Sequence, residues 1–322
     1  MPSTVLPDAR VSPRFAGVST FCRYPLLELV PKESRPIDWA IYGAPFDSGV
    51  TYRPGARFGP RAIRDASQYI KRYHIEHGVD VCEKLSICDA GDAPVKPYSM
   101  KETLDGIAAW ATGLADPGTR LLAVGGDHSI AYANIKATWD RRGRPKGGLA
   151  LLHFDSHLDT VDAVWGEKWG HASVFRRAIE EGLVDPTRML SVGIKGPLNS
   201  AADLDYAKQQ KITILSAEQW HRSIREGTRE VETFVKSLGG AETYLTFDID
   251  VLDPAFAPGT GTPSIGGLTS AEVVRLLHSL KGANIVGADV VEVLPDRDTA
   301  GITALLAAHV IFEILALDAA TR

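Results

Sequence analysis

Cysteine is scarce in this chain: three residues in 322, at positions 22, 82 and 88. Their number is odd and no pair has C-x-x-C spacing, which excludes a disulfide framework and a thiolate zinc site. That pattern fits a reducing, cytoplasmic setting. Basic charge is also lacking. Lys and Arg number 35 against 40 Asp and Glu, a formal net charge of −5, whereas a nucleic-acid binder carries a basic excess. The densest basic stretch, Arg141-Arg142-Gly143-Arg144-Pro145-Lys146, reads as a solvated loop. No unbroken apolar run is long enough for a bilayer. The longest, 304–317, is interrupted by His309 and Glu313, so no membrane partner is expected. Asp8, Arg10 and three prolines (Pro2, Pro7 and Pro13) precede any apolar run, unlike a signal peptide. Linkers, repeats and low-complexity tracts are missing too. One domain is therefore expected over 1–322, with 1–35 an N-terminal extension packing on that domain or on a neighbouring subunit.

With 44% hydrophobic and 23% charged residues, the composition suits a globular protein with a sizeable core. Apolar runs at 39–46, 85–90, 121–125, 149–154, 189–194, 212–215, 244–249 and 285–293 alternate with helical patterns. The runs are nearly continuous rather than alternating, as in parallel strands covered on both faces. Val231, Phe234, Val235 and Leu238 follow helical spacing. Thr269 and Glu272 read as a capping box opening a helix through Leu280. A last helix, about 301–317, is apolar on most sides and is expected to pack against the sheet or another subunit. The fold class is α/β: a mostly parallel sheet of about eight strands between helical layers.

Three segments follow three of these runs: Gly125-Gly126-Asp127-His128-Ser129, Asp155-Ser156-His157-Leu158-Asp159, and Asp248-Ile249-Asp250 continuing to Asp253-Pro254. In the second and third, ligand-type residues recur at every second position, which in a strand directs them to one face. Taken singly, such pieces are usually turns, caps or surface pairs. A calcium loop is excluded, because Leu252, Asp253 and Gly259 occupy the places that need an oxygen ligand, glycine and glutamate. Gly259-Thr260-Gly261 lacks dinucleotide-binding spacing and reads as a loop. Together, however, the pieces bring carboxylates to the ends of buried strands, where only cations would relieve repulsion and desolvation. Imidazole and carboxylate donors suit Mn(II) and related ions. Four carboxylates balance two divalent cations, and such a pair can acidify one water between them.

These segments resemble those of the ureohydrolases: arginase, agmatinase, guanidinobutyrase and their relatives. The resemblance extends to Tyr52-Arg53-Pro54-Gly55-Ala56-Arg57-Phe58-Gly59-Pro60, to Pro258-Gly259-Thr260-Gly261-Thr262-Pro263 with Gly266-Gly267-Leu268, and to Asp289-Val290-Val291-Glu292-Val293. It covers nearly the whole chain and is nearer to agmatinase-type enzymes than to arginase proper. It implies the arginase fold, a three-layer α/β/α sandwich assembled as trimers or hexamers. It also implies two divalent ions, manganese or in some members nickel. One ion would be held by His128, Asp155, Asp159 and Asp248, the other by Asp155, His157, Asp248 and Asp250. Glu292 matches the carboxylate that receives the guanidinium, Asp159 could relay the water's proton, and His171 matches a proton shuttle. Two departures stand out: Ser156 replaces the usual alanine, and Gly170-His171-Ala172-Ser173 replaces a His-Gly-Thr or His-Gly-Ser form.

The implied reaction hydrolyses a guanidino compound to urea and an amine. Agmatine, giving putrescine, is the expected substrate. The alternatives are 4-guanidinobutanoate, 3-guanidinopropanoate, or a small guanidine or biguanide. The choice of agmatine rests on the loop 160–170, where Asp162 and Glu167 outnumber Lys168, with Arg176 or Arg177 able to reverse the balance. Outside this class stand a non-catalytic partner subunit and a single-zinc deacetylase of related fold, the latter disfavoured by the second aspartate pair. His74, His77, His221 and His278 read as surface residues, His309 as a packed helix residue, and His153 receives no ligand role.

Overall fold

The computed structural model describes residues 4–322. Met1, Pro2 and Ser3, part of the expected N-terminal extension, lie outside the described residues. Among the described residues ten strands form: β1 (Trp39–Ala44), β2 (Tyr73–His74), β3 (Val79–Asp80), β4 (Ile87–Asp92), β5 (Arg120–Gly125), β6 (Leu149–Phe154), β7 (Val184–Ile194), β8 (Thr213–Ser216), β9 (Glu242–Asp248) and β10 (Asn284–Val291). The first five helices are α1 (Gly59–Ala66), α2 (Val81–Lys84), α3 (Met100–Thr112), α4 (Ile130–Arg141) and α5 (Val174–Glu180). They are followed by α6 (Asp205–Gln210), α7 (Ala217–Arg222), α8 (Ile224–Ser237), α9 (Ser270–His278) and α10 (Ile302–Ala319).

Eight strands pair in the order β4-β1-β5-β10-β9-β6-β7-β8, and every pairing is parallel. The apolar runs explain this. Leu121 to Val124 and Leu149 to Leu152 are at most 1% exposed, because helices cover both faces of the sheet. One buried cluster joins Leu122, Leu152, Leu245 and Val290 to α9 and α10. The other joins Leu121, Leu151 and Tyr244 to α3, α4 and α5. β2 and β3 form a separate antiparallel pair, too short for a periodicity to register.

The Thr269 capping box is present: the Thr269 side chain accepts from Glu272 N–H at 3.2 Å, and Glu272 accepts from Thr269 N–H at 2.8 Å. The helix it opens stops at His278 rather than Leu280. α10 is longer than the expected 301–317. The stretch 299–319 holds an 18-residue window of mean hydropathy 2.0, long and apolar enough by composition to cross a membrane, but 67% of that window is buried inside the fold. It is a core helix packed on α1, α9 and β10. At the N-terminal end, Thr4 bonds Leu85 O, and Phe21, Cys22 and Tyr24 join the buried cluster that contains α9 and α10 residues. All three cysteines are free and buried.

Candidate metal centre

β5, β10, β9 and β6 lie side by side at the middle of the sheet, and a piece of the site follows the carboxyl end of each, where α/β sheets form their sites. His128 lies between β5 and α4, Glu292 directly follows β10, Asp248 ends β9, and Asp155 directly follows β6. The strand period expected for Asp155 to Asp159 is overturned, because β6 ends at Phe154. Asx turns make the spacing instead: Asp155 Oδ1 accepts from His157 N–H at 2.6 Å, and Asp248 Oδ1 from Asp250 N–H at 2.8 Å. Asp159 (φ 50°) and Glu292 (φ 66°) occupy the left-handed region, a backbone conformation that non-glycine residues hold mainly where the surroundings impose it.

The six sequence-predicted ligands converge. His128 Nδ1 lies 3.1 Å from Asp155 Oδ2, 3.0 Å from Asp159 Oδ2 and 3.3 Å from Asp248 Oδ2. His157 Nδ1 lies 3.4 Å from Asp155 Oδ1 and 3.2 Å from Asp250 Oδ2. Asp155 therefore faces both imidazoles. Burial, then Asp250 and Asp155, hold the Asp248 carboxyl well above the usual carboxylate range against the pull of His128.

Neighbouring hydrogen bonds fix the His128 ring. Thr246 Oγ1 donates to Asp289 Oδ1 at 2.6 Å, so at 2.8 Å it accepts from His128 Nε2–H. That leaves the Nδ1 lone pair facing three carboxylates. Nδ1 is buried and none of the three approaches has hydrogen-bond geometry. The carboxylates demand positive charge there: against burial, they raise the pKa of His128 well above its ordinary value. A single proton can serve one acceptor, whereas a divalent cation can serve all of them. The donor set fits a metal on that ground.

Several supports were not legible in the sequence. His153 bridges Ser191 Oγ (3.0 Å) and Asp155 Oδ2 (2.9 Å), the kind of outer partner that orients a ligand. Ser156 N–H donates to Asp250 Oδ1 at 3.0 Å, while its hydroxyl binds Asp250 O and accepts from Lys195.

Glu292 and His171 form a second group. Glu292 Oε1 accepts from His128 N–H at 2.8 Å and lies 2.9 Å from His171 Nδ1. Its Oε2 is buried with no partner. His171 Nε2 meets both a donor and an acceptor on one residue: Thr51 N–H at 2.9 Å and Thr51 Oγ1 at 2.8 Å. Neutral imidazole can accept from the first, and imidazolium can donate to the second. Burial opposes the charged ring, but Glu292 outweighs it, with help from Asp159 and Asp127, and lifts the His171 pKa to about 9. Asp127 anchors the loop after β1 by accepting from Gly49 N–H at 2.8 Å.

Gly126 makes this meeting point possible. Its φ is +62°, and a Cβ there would lie 2.4 Å from Ala44 O and 2.6 Å from Phe46 O. Its carbonyl accepts from Glu292 N–H at 2.9 Å. Gly126→Ala is expected to destabilise the fold by more than about 4 kcal/mol and abolish activity, which denaturant unfolding with a urea-release assay would measure.

A cavity of about 390 Å³, with His157, Asp159, His171, Asp248 and Thr262 in its wall, opens over these residues. A more apolar groove of about 330 Å³ between α9 and α10 lies elsewhere and brings none of them together. The charge balance expected of the loop 160–170 does not survive. Asp162 pairs with Arg177 at 2.7 Å and Arg176 at 3.4 Å, and neither Asp162 nor Glu167 lines the cavity. Asp203 does.

Residues 37–317 match the Arginase family. The chain is 40% identical over 311 residues to guanidinopropionase of Pseudomonas aeruginosa, covering 96% of this chain and 94% of that one. It is likewise 40% identical over 305 residues to an agmatinase of Neisseria meningitidis, covering 94% and 93%. The structure of proclavaminate amidinohydrolase from Streptomyces clavuligerus superposes with a TM-score of 0.87 at 37% identity, over 97% of this chain and all of that one. Fold, site placement and sequence agree: the chain belongs to the arginase family.

Proposed function

We propose that this arginase-family amidinohydrolase cleaves agmatine to urea and putrescine at a centre of two divalent cations. His128, Asp155, Asp159 and Asp248 would hold one ion, and Asp155, His157, Asp248 and Asp250 the other. Two such ions, when bound, supply hydroxide from water at neutral pH. Manganese is the proposed metal and nickel the alternative. The family resemblance supports a trimer or hexamer of identical chains, and the three free cysteines a cytoplasmic setting.

The observation that carries the reading is the unpartnered, buried Oε2 of Glu292. A buried carboxylate oxygen without a donor is costly, and a guanidinium supplies planar N–H donors of the right charge. Gly261 borders this oxygen, and its bare backbone fits there because a Cβ at that position would lie 3.7 Å from Oε2 and only 2.9 Å from Arg53 O. Asp159, 8% exposed and in the cavity wall, would take the proton lost by the attacking water. His171 returns a proton to the departing amine from Nε2, with Thr51 partnering the ring in both protonation states. Both ligand sets together with Glu292 and His171 are present, which speaks against a non-catalytic partner subunit.

The substrate tail follows from the cavity wall. Relatives named for guanidino acids and for agmatine stand at the same identity, so likeness does not choose between them. Among the described residues, no lysine or arginine lines the cavity, whereas Asp203 stands in the wall beside Asn199. A cationic tail is favoured there and a carboxylate tail is not. Side-by-side kcat/KM values for agmatine, 4-guanidinobutanoate, 3-guanidinopropanoate, arginine, guanidine and a biguanide test this, with agmatine expected to lead. A preference of about tenfold or more, roughly 1.4 kcal/mol, for a carboxylate-tailed or tail-less substrate overturns the agmatine assignment. No urea from any of them overturns the catalytic reading itself.

A further inference from the structure

A second cluster of metal-type donors lies away from this centre. His74 ends β2, His77 lies in the β2–β3 turn, α9 ends on His278, and Glu313 lies within α10. One ligand-type atom from each of the four lies within 4.8 Å of the others. The surface reading of these histidines is corrected at His74, which is 5% exposed, as is fitting beside Glu313 at 7%.

Hydrogen bonds assign the protons. His77 N–H donates to His74 Nδ1 at 3.1 Å, so His74 carries its proton on Nε2 and directs it to Glu313 Oε2 at 3.0 Å. His278 Nε2 lies 3.1 Å from the same oxygen. His77 Nε2 is buried with no partner, a rarity for a polar atom in a folded protein. Its ring stacks on His74 with centroids 4.3 Å apart and sits 5.1 Å from His278.

We propose that His77, His278 and Glu313 bind a divalent cation, with the Nε2–H of His74 fixing the carboxylate. Two imidazoles and one carboxylate without thiolate select an imidazole-preferring ion such as Zn²⁺ or Ni²⁺ over Mg²⁺ or Ca²⁺. Three protein ligands leave room for water, and a groove of about 370 Å³ past Tyr73 and His309 gives access. The ligands come from segments distant in sequence. Occupancy therefore clips the β2–β3 turn to α9 and α10 and stabilises the folded chain.

The test uses full-length, Mn²⁺-loaded protein titrated with Zn²⁺, freed of excess metal, and analysed for total divalent ions per chain and for Tm. The native chain is expected to hold one ion more than His77→Ala, and Zn²⁺ is expected to raise the native Tm by a few degrees without raising that of the variant. Urea release from agmatine stays equal in the two. His278→Gln, which keeps the ring-sized volume, is expected to behave as His77→Ala does and serves if the alanine variant does not fold. Equal metal content in native and variant chains, or a Zn²⁺-dependent Tm rise that persists in both variants, overturns the site. Neither result bears on the guanidinium centre, because the two sites share no residue.

Discussion

Glu292→Gln is expected to lower kcat for urea release by about 10²-fold or more, the effect of removing a preorganised electrostatic group, while bound metal stays at the native level. The substitution is nearly isosteric. The amide oxygen can take the place of Oε1 and keep the His128 N–H and His171 contacts, both shorter than 3 Å in the native chain. The other position then presents an amide NH₂ where the native residue has a free carboxylate oxygen. A guanidinium loses its counter-charge and meets a donor instead of an acceptor. Steady-state kinetics beside metal analysis of the same sample separates this from damage to the centre. Native-like turnover in a folded, metal-loaded variant is incompatible with the role assigned to Glu292.

Asp248→Asn is expected to lose both activity and most of the bound metal. Its Oδ1 caps Asp250 N–H at 2.8 Å, a bond that asparagine can preserve, so the turn itself need not change. Its Oδ2, 3.3 Å from His128 Nδ1, becomes an NH₂ group that cannot bind a cation and offers no negative charge to either proposed ion. Ser156→Ala is the matched control. The Ser156 contact to the Asp250 carboxylate comes from the backbone N–H and survives, so activity and metal content are expected to stay near native. Metal analysis with urea release checks both variants. Full native activity at one divalent ion or fewer per chain refutes the two-metal reading.

Much of the architecture was legible because parallel strands buried on both faces leave continuous apolar runs. The run 149–154 coincides with β6, while β7 begins at Val184, earlier than expected. Its opening residues, Asp185, Pro186, Thr187 and Arg188, carry no strand signal and fill an irregularity between the Leu149–Val184 and Leu151–Met189 pairings. The ligand spacing in Asp155 to Asp159 was visible and its cause misread. An Asx turn and a pleated strand both repeat at two residues, and only the end of β6 separates them. Partners far apart in the chain left no local signal. Thr51 reaches His171 across 120 positions, and Glu313 buries His74 across 239. Nor could composition show that Asp162 spends its charge on Arg176 and Arg177.

The placement of the site on β5, β10, β9 and β6 has a consequence for how the molecule breathes. Hydrogen-bonded neighbours flank each of these four strands on both sides, whereas β4 and β8 form the edges. Local openings begin where contacts are few, and the centre of a sheet opens only with the whole fold. Fraying of either edge therefore leaves the donor atoms in place. Bound cations would add to the cost of global unfolding, and amide exchange in these central strands would slow with cation concentration as long as binding favours the folded chain.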